Sequence, residues 1–300
     1  MGTQLKNGRA EFRPRARRQG WAFAVQVVRA DLANFFLLHH RHADGFLITG
    51  KNSGTHWLKY MLSAALAQDW GVEPPALASG REQDAIISHP KWPAKYPDKP
   101  RIGSSHTIPS VAFALPGLCR LLPYRPTVVL VRDIREAMLS NYLKWNYGDS
   151  LSDYAEGAPG GRKYVADAWW YVHFFNRWGD MARAHPAQTM VVRYEDLQAR
   201  PEFWLRAVGR HYGFALSNAA VAKGLEFFGR DAIRERLGRP QDTEIEVVPN
   251  SEKRASMRFG AAELAVLDDI FRRHLRYDFG YGYLRGHTAV PAGESLVKLG

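Results

Sequence analysis

The chain predicts an α/β fold, with a central parallel sheet flanked by helices. Three observations carry this. Short apolar runs suited to buried strands recur at 46–49, 85–88, 101–104, 127–132 and 189–193. Helical patterns lie between and after them, at 54–69, 109–121, 133–147, 163–184 and 201–213. Strands alternating with helices in this way form parallel sheets, because each parallel connection needs a crossover.

At 300 residues with 46% apolar content, the chain can bury a sizeable core. Residues 1–17 carry Arg9, Arg13, Arg15 and Arg17 and read as a disordered basic arm. Residues 18–285 read as a single domain, and 286–300 as a loose tail. The segment 18–40 reads as one amphipathic helix packed on the domain. Its basic flank and Phe35, Phe36, Leu37 and Leu38 make a peripheral membrane contact through residues 9–40 the alternative. Arg29 and Asp31 cut the apolar run short of a signal peptide, and no run reaches the ~18–20 apolar residues of a membrane span. The single cysteine, Cys119, excludes an intramolecular disulfide and fits a reducing, cytoplasmic setting.

The most informative element begins with the strand Phe46, Leu47, Ile48. It runs into a small polar turn, Gly50 to Thr55, and then a helix whose apolar side carries Trp57, Leu58, Met61, Leu62 and Ala65. Strand, glycine turn and helix start make an anion cradle, since turn amides and the positive helix end face the same point. The fold expected is therefore P-loop-like and three-layered. No Gly-Lys-Ser/Thr follows at Walker A spacing, which weakens an ATPase or kinase reading.

Further along, residues 89–100 are rich in Pro and Lys and read as a loop. The strand at 101–104 leads to His106, and that at 127–132 ends on Arg132. Ser140 lies about two turns into the next helix, so its hydroxyl and the Arg132 guanidinium can grip one phosphate. The other reading of Arg132 is a cap on its own sheet edge. Gly157 to Gly161 is a second loop and 238–256 a third, polar and basic, ahead of a helix at 261–275. Ligands of parallel sheets bind beyond the carboxyl ends of the strands, where the glycine turn, His106 and Arg132 all fall. No internal repeat is evident.

In these motifs the chain resembles the sulfotransferases that use 3′-phosphoadenylyl sulfate (PAPS). Ser53, Gly54, Thr55, His56 and Trp57 match most of the family's 5′-phosphosulfate loop. Arg132, Glu136 and Ser140 match its 3′-phosphate motif, with Ile134 where a proline is usual. Val192-Arg-Tyr-Glu-Asp-Leu197 is a third marker, and Ser104-Ser-His-Thr-Ile-Pro109 a fourth. The four stand in the family's order over roughly 44–275.

The resemblance implies that Asn52, Ser53, Gly54, Thr55 and His56 line the phosphosulfate turn, that Trp57 stacks on adenine with Tyr194 nearby, and that Arg132 and Ser140 hold the 3′-phosphate. Without the resemblance, Trp57 and Tyr194 read as ordinary structural aromatics. Lys253 and Arg254 are the candidates to close over the 3′-phosphate. The family's usual loop cation directly precedes the serine. Here that position is Asn52 and a lysine stands one earlier, so either Lys51 reaches the sulfate or Asn52 donates a neutral hydrogen bond; Lys51 is taken as the catalytic cation.

His106 is the expected general base, with His56 and His89 as competitors. The implied product is adenosine 3′,5′-bisphosphate, and no metal is required. The adjacent His39 and His40 do not share a helix face, and the run His39-His40-Arg41-His42 reads as a surface stretch.

The implied acceptor is a hydroxyl or amine of a small molecule, carbohydrate or lipid. Its pocket would be shaped by loops 70–100 and 145–165, with Trp92, Tyr96, Trp145, Tyr147 and Tyr154. The formal charge of +11 suits an anionic ligand. The alternatives are a nucleotide-dependent phosphotransferase, for which no Walker lysine and metal carboxylate pair up, and a non-catalytic nucleotide- or nucleic-acid-binding protein. The Arg-rich arm belongs to no recognised nucleic-acid module, so no specific nucleic acid is expected.

Overall fold

The computed structural model describes residues 25, 28, 29, 34–75, 85–145, 150–155, 166–227 and 257–284. The expected basic arm, the loop at 238–256 with Lys253 and Arg254, and the tail at 286–300 lie outside these residues. Among the described residues no helix is long and apolar enough to cross a membrane.

Five strands form one sheet: β1 Gly45–Thr49, β2 Ile87–Ser88, β3 Ile102–Ser105, β4 Thr127–Val131 and β5 Thr189–Arg193. They stand in the order β2-β3-β1-β4-β5. Every pairing is parallel, with Phe46 opposite Gly103 on one side of β1 and Thr127 on the other. Successive residues alternate faces, as strand geometry requires. Leu47, Val128 and Leu130 belong to one core, and Phe46, Ile48, Val129 and Val131 to the other. The sheet is thus the middle of three layers. Its strands read as continuous apolar runs because both faces are covered.

The helices, in chain order, are α1 Phe36–His39, α2 Thr55–Trp70, α3 Leu118–Leu121, α4 Ile134–Trp145, α5 Leu151–Ala155, α6 Ala168–Ala184, α7 Tyr194–Ala199, α8 Pro201–His211, α9 Asn218–Leu225 and α10 Ala261–His274. Residues of α2, α7, α8 and α9 pack on the first face, and residues of α4, α6 and α10 on the second. Helix α2 is buried at every position from Trp57 to Ala67, and each large apolar side chain so buried is worth about 1.5–3 kcal/mol. It can lie so close to α9 because of Gly224, where a Cβ would meet the Met61 carbonyl at 2.7 Å. Gly71, at φ 65°, ends α2, and Val72 N then donates to Ala67 O at 3.0 Å.

Three expectations are corrected. Helix 109–121 is instead a 3₁₀ turn at Val111–Ala114 followed by α3. Leu115, preceding Pro116, is extended at ψ 133°, and Gly117 has φ 88°, so the helix cannot run through. The helix expected over 18–40 is not continuous. Asn34 and Phe35 are non-helical, and the Asn34 amide donates to Thr107 Oγ1 and Ile108 O at 2.8 and 2.6 Å. The helix expected from 163 has its N-cap at Asp167, whose carboxylate accepts from Trp170 N at 2.9 Å.

Candidate functional site

Strand β1 lies between β3 and β4, so the carboxyl ends of these three strands are neighbours. The chain reverses direction of winding here, which is where parallel sheets open a crevice. The turn after β1, the residues after β3 and the residues after β4 therefore meet, although roughly 80 positions separate the first from the last.

The turn is held from several sides. Gly50 N donates to Leu130 O at 2.8 Å and Ser53 N to Gly50 O at 3.3 Å. Tyr171 OH donates to Lys51 O at 2.7 Å, and Arg132 Nη1 to Asn52 O at 3.1 Å. Asn52 adopts φ 55° and Gly54 φ 88°. Asparagine tolerates the left-handed region better than other residues with a Cβ. At Gly54 a Cβ would also stand 2.4 Å from the Tyr194 ring. Both positions thus have a conformational reason for their residue. No side chain caps the start of α2, so the first helical amides face the turn with their positive end.

The placement separates Lys51 from Asn52. The Asn52 amide donates to Asn141 Oδ1 at 2.8 Å, on α4. The Lys51 ammonium lies 5.0 Å from the Trp170 ring centroid and close enough to His106 to depress its pKa. Burial lowers the Lys51 pKa, and Asp167 opposes the shift. Burial raises Asp167 to about 6, against hydrogen bonding from Trp170 N and the charge of Lys51. Both partners shift toward their neutral forms, so desolvation outweighs their mutual attraction.

His106 follows β3 directly. Its Nδ1 is 2.8 Å from Thr49 O and 3.0 Å from Thr49 Oγ1. A carbonyl only accepts, so Nδ1 carries the proton and Nε2 keeps its lone pair. His106 is exposed to solvent, but desolvation by the protein around it lowers its pKa; the Thr49 carbonyl opposes this, and Lys51, Lys144 and Lys59 add to it. Thr49 Oγ1 also bonds Thr55 Oγ1 at 2.7 Å, linking the histidine to the start of α2.

His56 stacks on Tyr60 at 6.0 Å, and its Nδ1 is buried with no hydrogen-bond partner among the described residues. Burial first, then Lys59, Lys144 and His106, lower its pKa to about 4. His89 belongs to a different cluster, 5.5 Å from Phe36 and 5.8 Å from His40 between ring centroids.

Arg132 is buried. Besides Asn52 O it meets Glu136 Oε2 at 3.5 Å and lies 4.8 Å from the Tyr194 ring centroid. Ser140 is buried two turns along α4, and Ser53 is buried in the turn. Trp57 is only 8% exposed and sits 5.3 Å from Tyr194, which is 5% exposed. Trp57 is therefore a core residue in this conformation, not an open stacking face, and Tyr194 packs over Gly54. Tyr154, expected to line a pocket, is buried and donates to Ala166 O at 2.6 Å while accepting from Asn141. Tyr96 packs partly against the core, and Trp92 is half-buried beside His89. Tyr147 and the side chain of Trp145 lie outside the described residues.

The unusual Ile134 has a structural counterpart. Its N–H donates to Tyr283 OH at 2.7 Å, and that hydroxyl donates to Asp133 Oδ2 at 2.9 Å. A proline could not make the first bond. The segment 192–197 ties the sheet edge to the same corner. Arg193 pairs with Asp196 through two 2.7 Å bonds, and Glu195 Oε1 accepts from Asp133 N at 3.2 Å.

Sequence reasoning did not single out Thr49, Lys59, Asn141, Lys144, Asp167, Trp170 and Tyr171. Two had a signal. Lys59 is a lone cation in the apolar run from Trp57 to Leu62, and Asp167 stands at a cap position before Ala168, Trp169 and Trp170. Among the described residues no group of His, Cys, Asp and Glu could hold a metal ion.

The Sulfotransferase family profile matches residues 12–218. No curated protein sequence matches the chain. Among solved structures, mouse sulfotransferase SULT7A1 complexed with PAP matches with a TM-score of 0.50 at 14% identity, covering 83% of this chain and 92% of that one. Retinol dehydratase in complex with androsterone and the inactive cofactor PAP matches with a TM-score of 0.52 at 13% identity, covering 84% and 86%. At these identities the structural likeness is one of fold, and the profile carries the family. With the glycine turn, Arg132 and His106 gathered at one edge of a parallel sheet and the profile spanning most of the sequence, the chain belongs to the sulfotransferase family.

Proposed function

We propose that the protein transfers a sulfuryl group from PAPS to a hydroxyl or amine of a small-molecule acceptor, releasing adenosine 3′,5′-bisphosphate. The observation that carries this is the meeting of His106 Nε2, Lys51 and the uncapped start of α2 at one carboxyl edge of the sheet. The two structural neighbours bind PAP on the same fold, which supports the choice of nucleotide. The glycine turn fits a phosphate group on this chain's own evidence, since Gly54 admits no Cβ and His56 Nδ1 is buried with no hydrogen-bond partner among the described residues.

PAPS supplies an activated sulfuryl group whose S–O bond to phosphate breaks as the acceptor bonds to sulfur. The chain's residues provide the rest. The Nδ1–H bond to Thr49 O holds the imidazole so that Nε2 takes the acceptor's proton. Lys51 and the amides at the start of α2 offset negative charge on the leaving phosphate. Arg132 and Ser140, both buried, are the groups we assign to the 3′-phosphate, which distinguishes this nucleotide from ATP. The Asn52–Asn141 bond fixes the turn against α4, so the two phosphate-binding units keep one separation.

A ligand that binds only the native state raises its melting temperature. Adenosine 3′,5′-bisphosphate should raise Tm more than ATP or AMP at equal concentration. Equal shifts with all three would remove the basis for PAPS. Labelled donor incubated with a host extract, followed by mass spectrometry of the product, would identify the acceptor.

A further inference from the structure

The segment between β3 and β4 carries an apolar surface that neither core uses. Among the described residues five large apolar side chains are exposed, and three of them, Leu115, Leu118 and Leu121, fall on this one short segment. Leu121 is 78% exposed. Single exposed leucines are ordinary, whereas a cluster of them marks a contact surface. Leu118 and Leu121 are three apart on α3 and so share a face. Leu115 stands just before the Pro116-Gly117 break that starts this helix.

The segment is fixed at both ends. Phe113 is fully buried, and His185 donates from Nε2 to the Phe113 carbonyl at 2.7 Å. On the other side the Tyr124 ring lies 4.6 Å from the His185 ring, and its hydroxyl is 3.1 Å from Thr189 Oγ1. The leucines are therefore presented on a shelf between two anchors. Thr127 and Thr189 begin β4 and β5, so the shelf lies by the amino ends of these strands. Lys51, His106 and Arg132 all follow carboxyl ends, on the opposite side of the sheet.

Charge identifies the occupant. Arg120 and Arg125 are exposed beside the leucines, and 106–132 contains no Asp or Glu. The segment that anchors the shelf, 181–194, contains none either. The whole chain carries a formal charge of +11, which attracts it to an anionic surface from a distance. Stable protein interfaces bury about 800 Å² on each partner. Three leucines on a four-residue helix offer far less, but in a lipid interface each leucine is buried independently of the others.

We propose that the 115–125 shelf docks on an anionic membrane surface, with Leu115, Leu118 and Leu121 entering the lipid interface and Arg120 and Arg125 meeting the headgroups. This surface is separate from residues 9–40, and it leaves the carboxyl edge of the sheet facing away from the lipid. It does not depend on which nucleotide the protein binds.

The test is flotation of the full chain with vesicles of phosphatidylcholine, alone or with about one third phosphatidylserine. The chain should bind the anionic vesicles about tenfold or more tighter. Leu118→Ser with Leu121→Ser should weaken that binding by about tenfold or more without lowering the melting temperature. Arg120→Gln with Arg125→Gln should weaken it comparably and reduce its dependence on salt. Should the double leucine variant not fold, Leu121→Ser alone, at the most exposed position, decides.

No binding to anionic vesicles, or equal binding to neutral ones, would overturn the proposal. So would binding that survives the leucine substitutions, which would assign the contact to the arginine-rich residues before 18. A concentration-dependent dimer in sedimentation that Leu121→Ser abolishes would also overturn it, by giving the shelf to a second copy of the chain.

Discussion

Replacing Asp167 by asparagine should stabilise the protein at neutral pH and impair catalysis. Asp167 is 4% exposed, and its pKa rises from 3.8 to about 6 on folding, chiefly through burial. An acid with a raised folded-state pKa binds its proton more tightly when folded. Its favourable contribution is complete below about pH 4 and is lost as pH rises through about 6. A shift of about two units at 1.36 kcal/mol each gives about 3 kcal/mol lost by pH 7. The substituted asparagine would keep the cap on α6, because its amide oxygen also accepts from Trp170 N. It would lose the attraction to Lys51, so the net gain at pH 7 should be about 1–3 kcal/mol. Urea unfolding of Asp167→Asn and wild type should show this gap at pH 7 and almost none at pH 4. Turnover should fall, because Lys51 loses the charge that favours its ammonium form. A variant less stable than wild type at pH 7, or a gap independent of pH, would refute the reasoning.

The other predictions follow from single contacts. His106→Ala should cut single-turnover transfer by ~10²–10⁴-fold with the nucleotide's affinity nearly unchanged; transfer near the wild-type rate would pass the base role to another group. Gly54→Ala must hold a Cβ at φ 88° and 2.4 Å from the Tyr194 ring, so it should cost about 1–3 kcal/mol in urea unfolding and weaken nucleotide binding as Tyr194 moves. Tyr283→Phe removes the acceptor for Ile134 N and should cost about 1–3 kcal/mol; in an Ile134→Pro background the cost should shrink, leaving only the Asp133 contact. An unchanged cost in that double-mutant cycle would show that the Ile134 bond contributes nothing.

By itself the sequence determined what local chemistry specifies. Apolar runs at 46–49, 127–132 and 189–193 could bury both faces only in a covered parallel sheet, and they became β1, β4 and β5. The spacing from Phe46 through Gly54 to Trp57 announced a strand, an anion-binding turn and a helix, because each needs only its neighbours. The order of four motifs gave the family. Local pattern also misled. Residues 109–121 had helical periodicity, yet Leu115-Pro116-Gly117 broke the helix; Trp57, by contrast, reads locally as a structural aromatic and is buried beside Tyr194.

What the tertiary structure alone decided is which groups share a space. Thr49 on β1, Lys59 on α2, Asn141 and Lys144 on α4 and Asp167 at the start of α6 belong to four segments with no common motif, and β1 and β4, which precede α2 and α4, are neighbours in the sheet. The structure also shows Lys51 near His106, while the left-handed Asn52 turns its amide to Asn141. Lys59 stands out locally only as a lone cation in an apolar run, and it is folding that shows it to be buried. Burial, and with it every pKa shift here, is a property of the neighbours that distant segments supply, which is why local sequence carries the scaffold and the three-dimensional packing carries the chemistry.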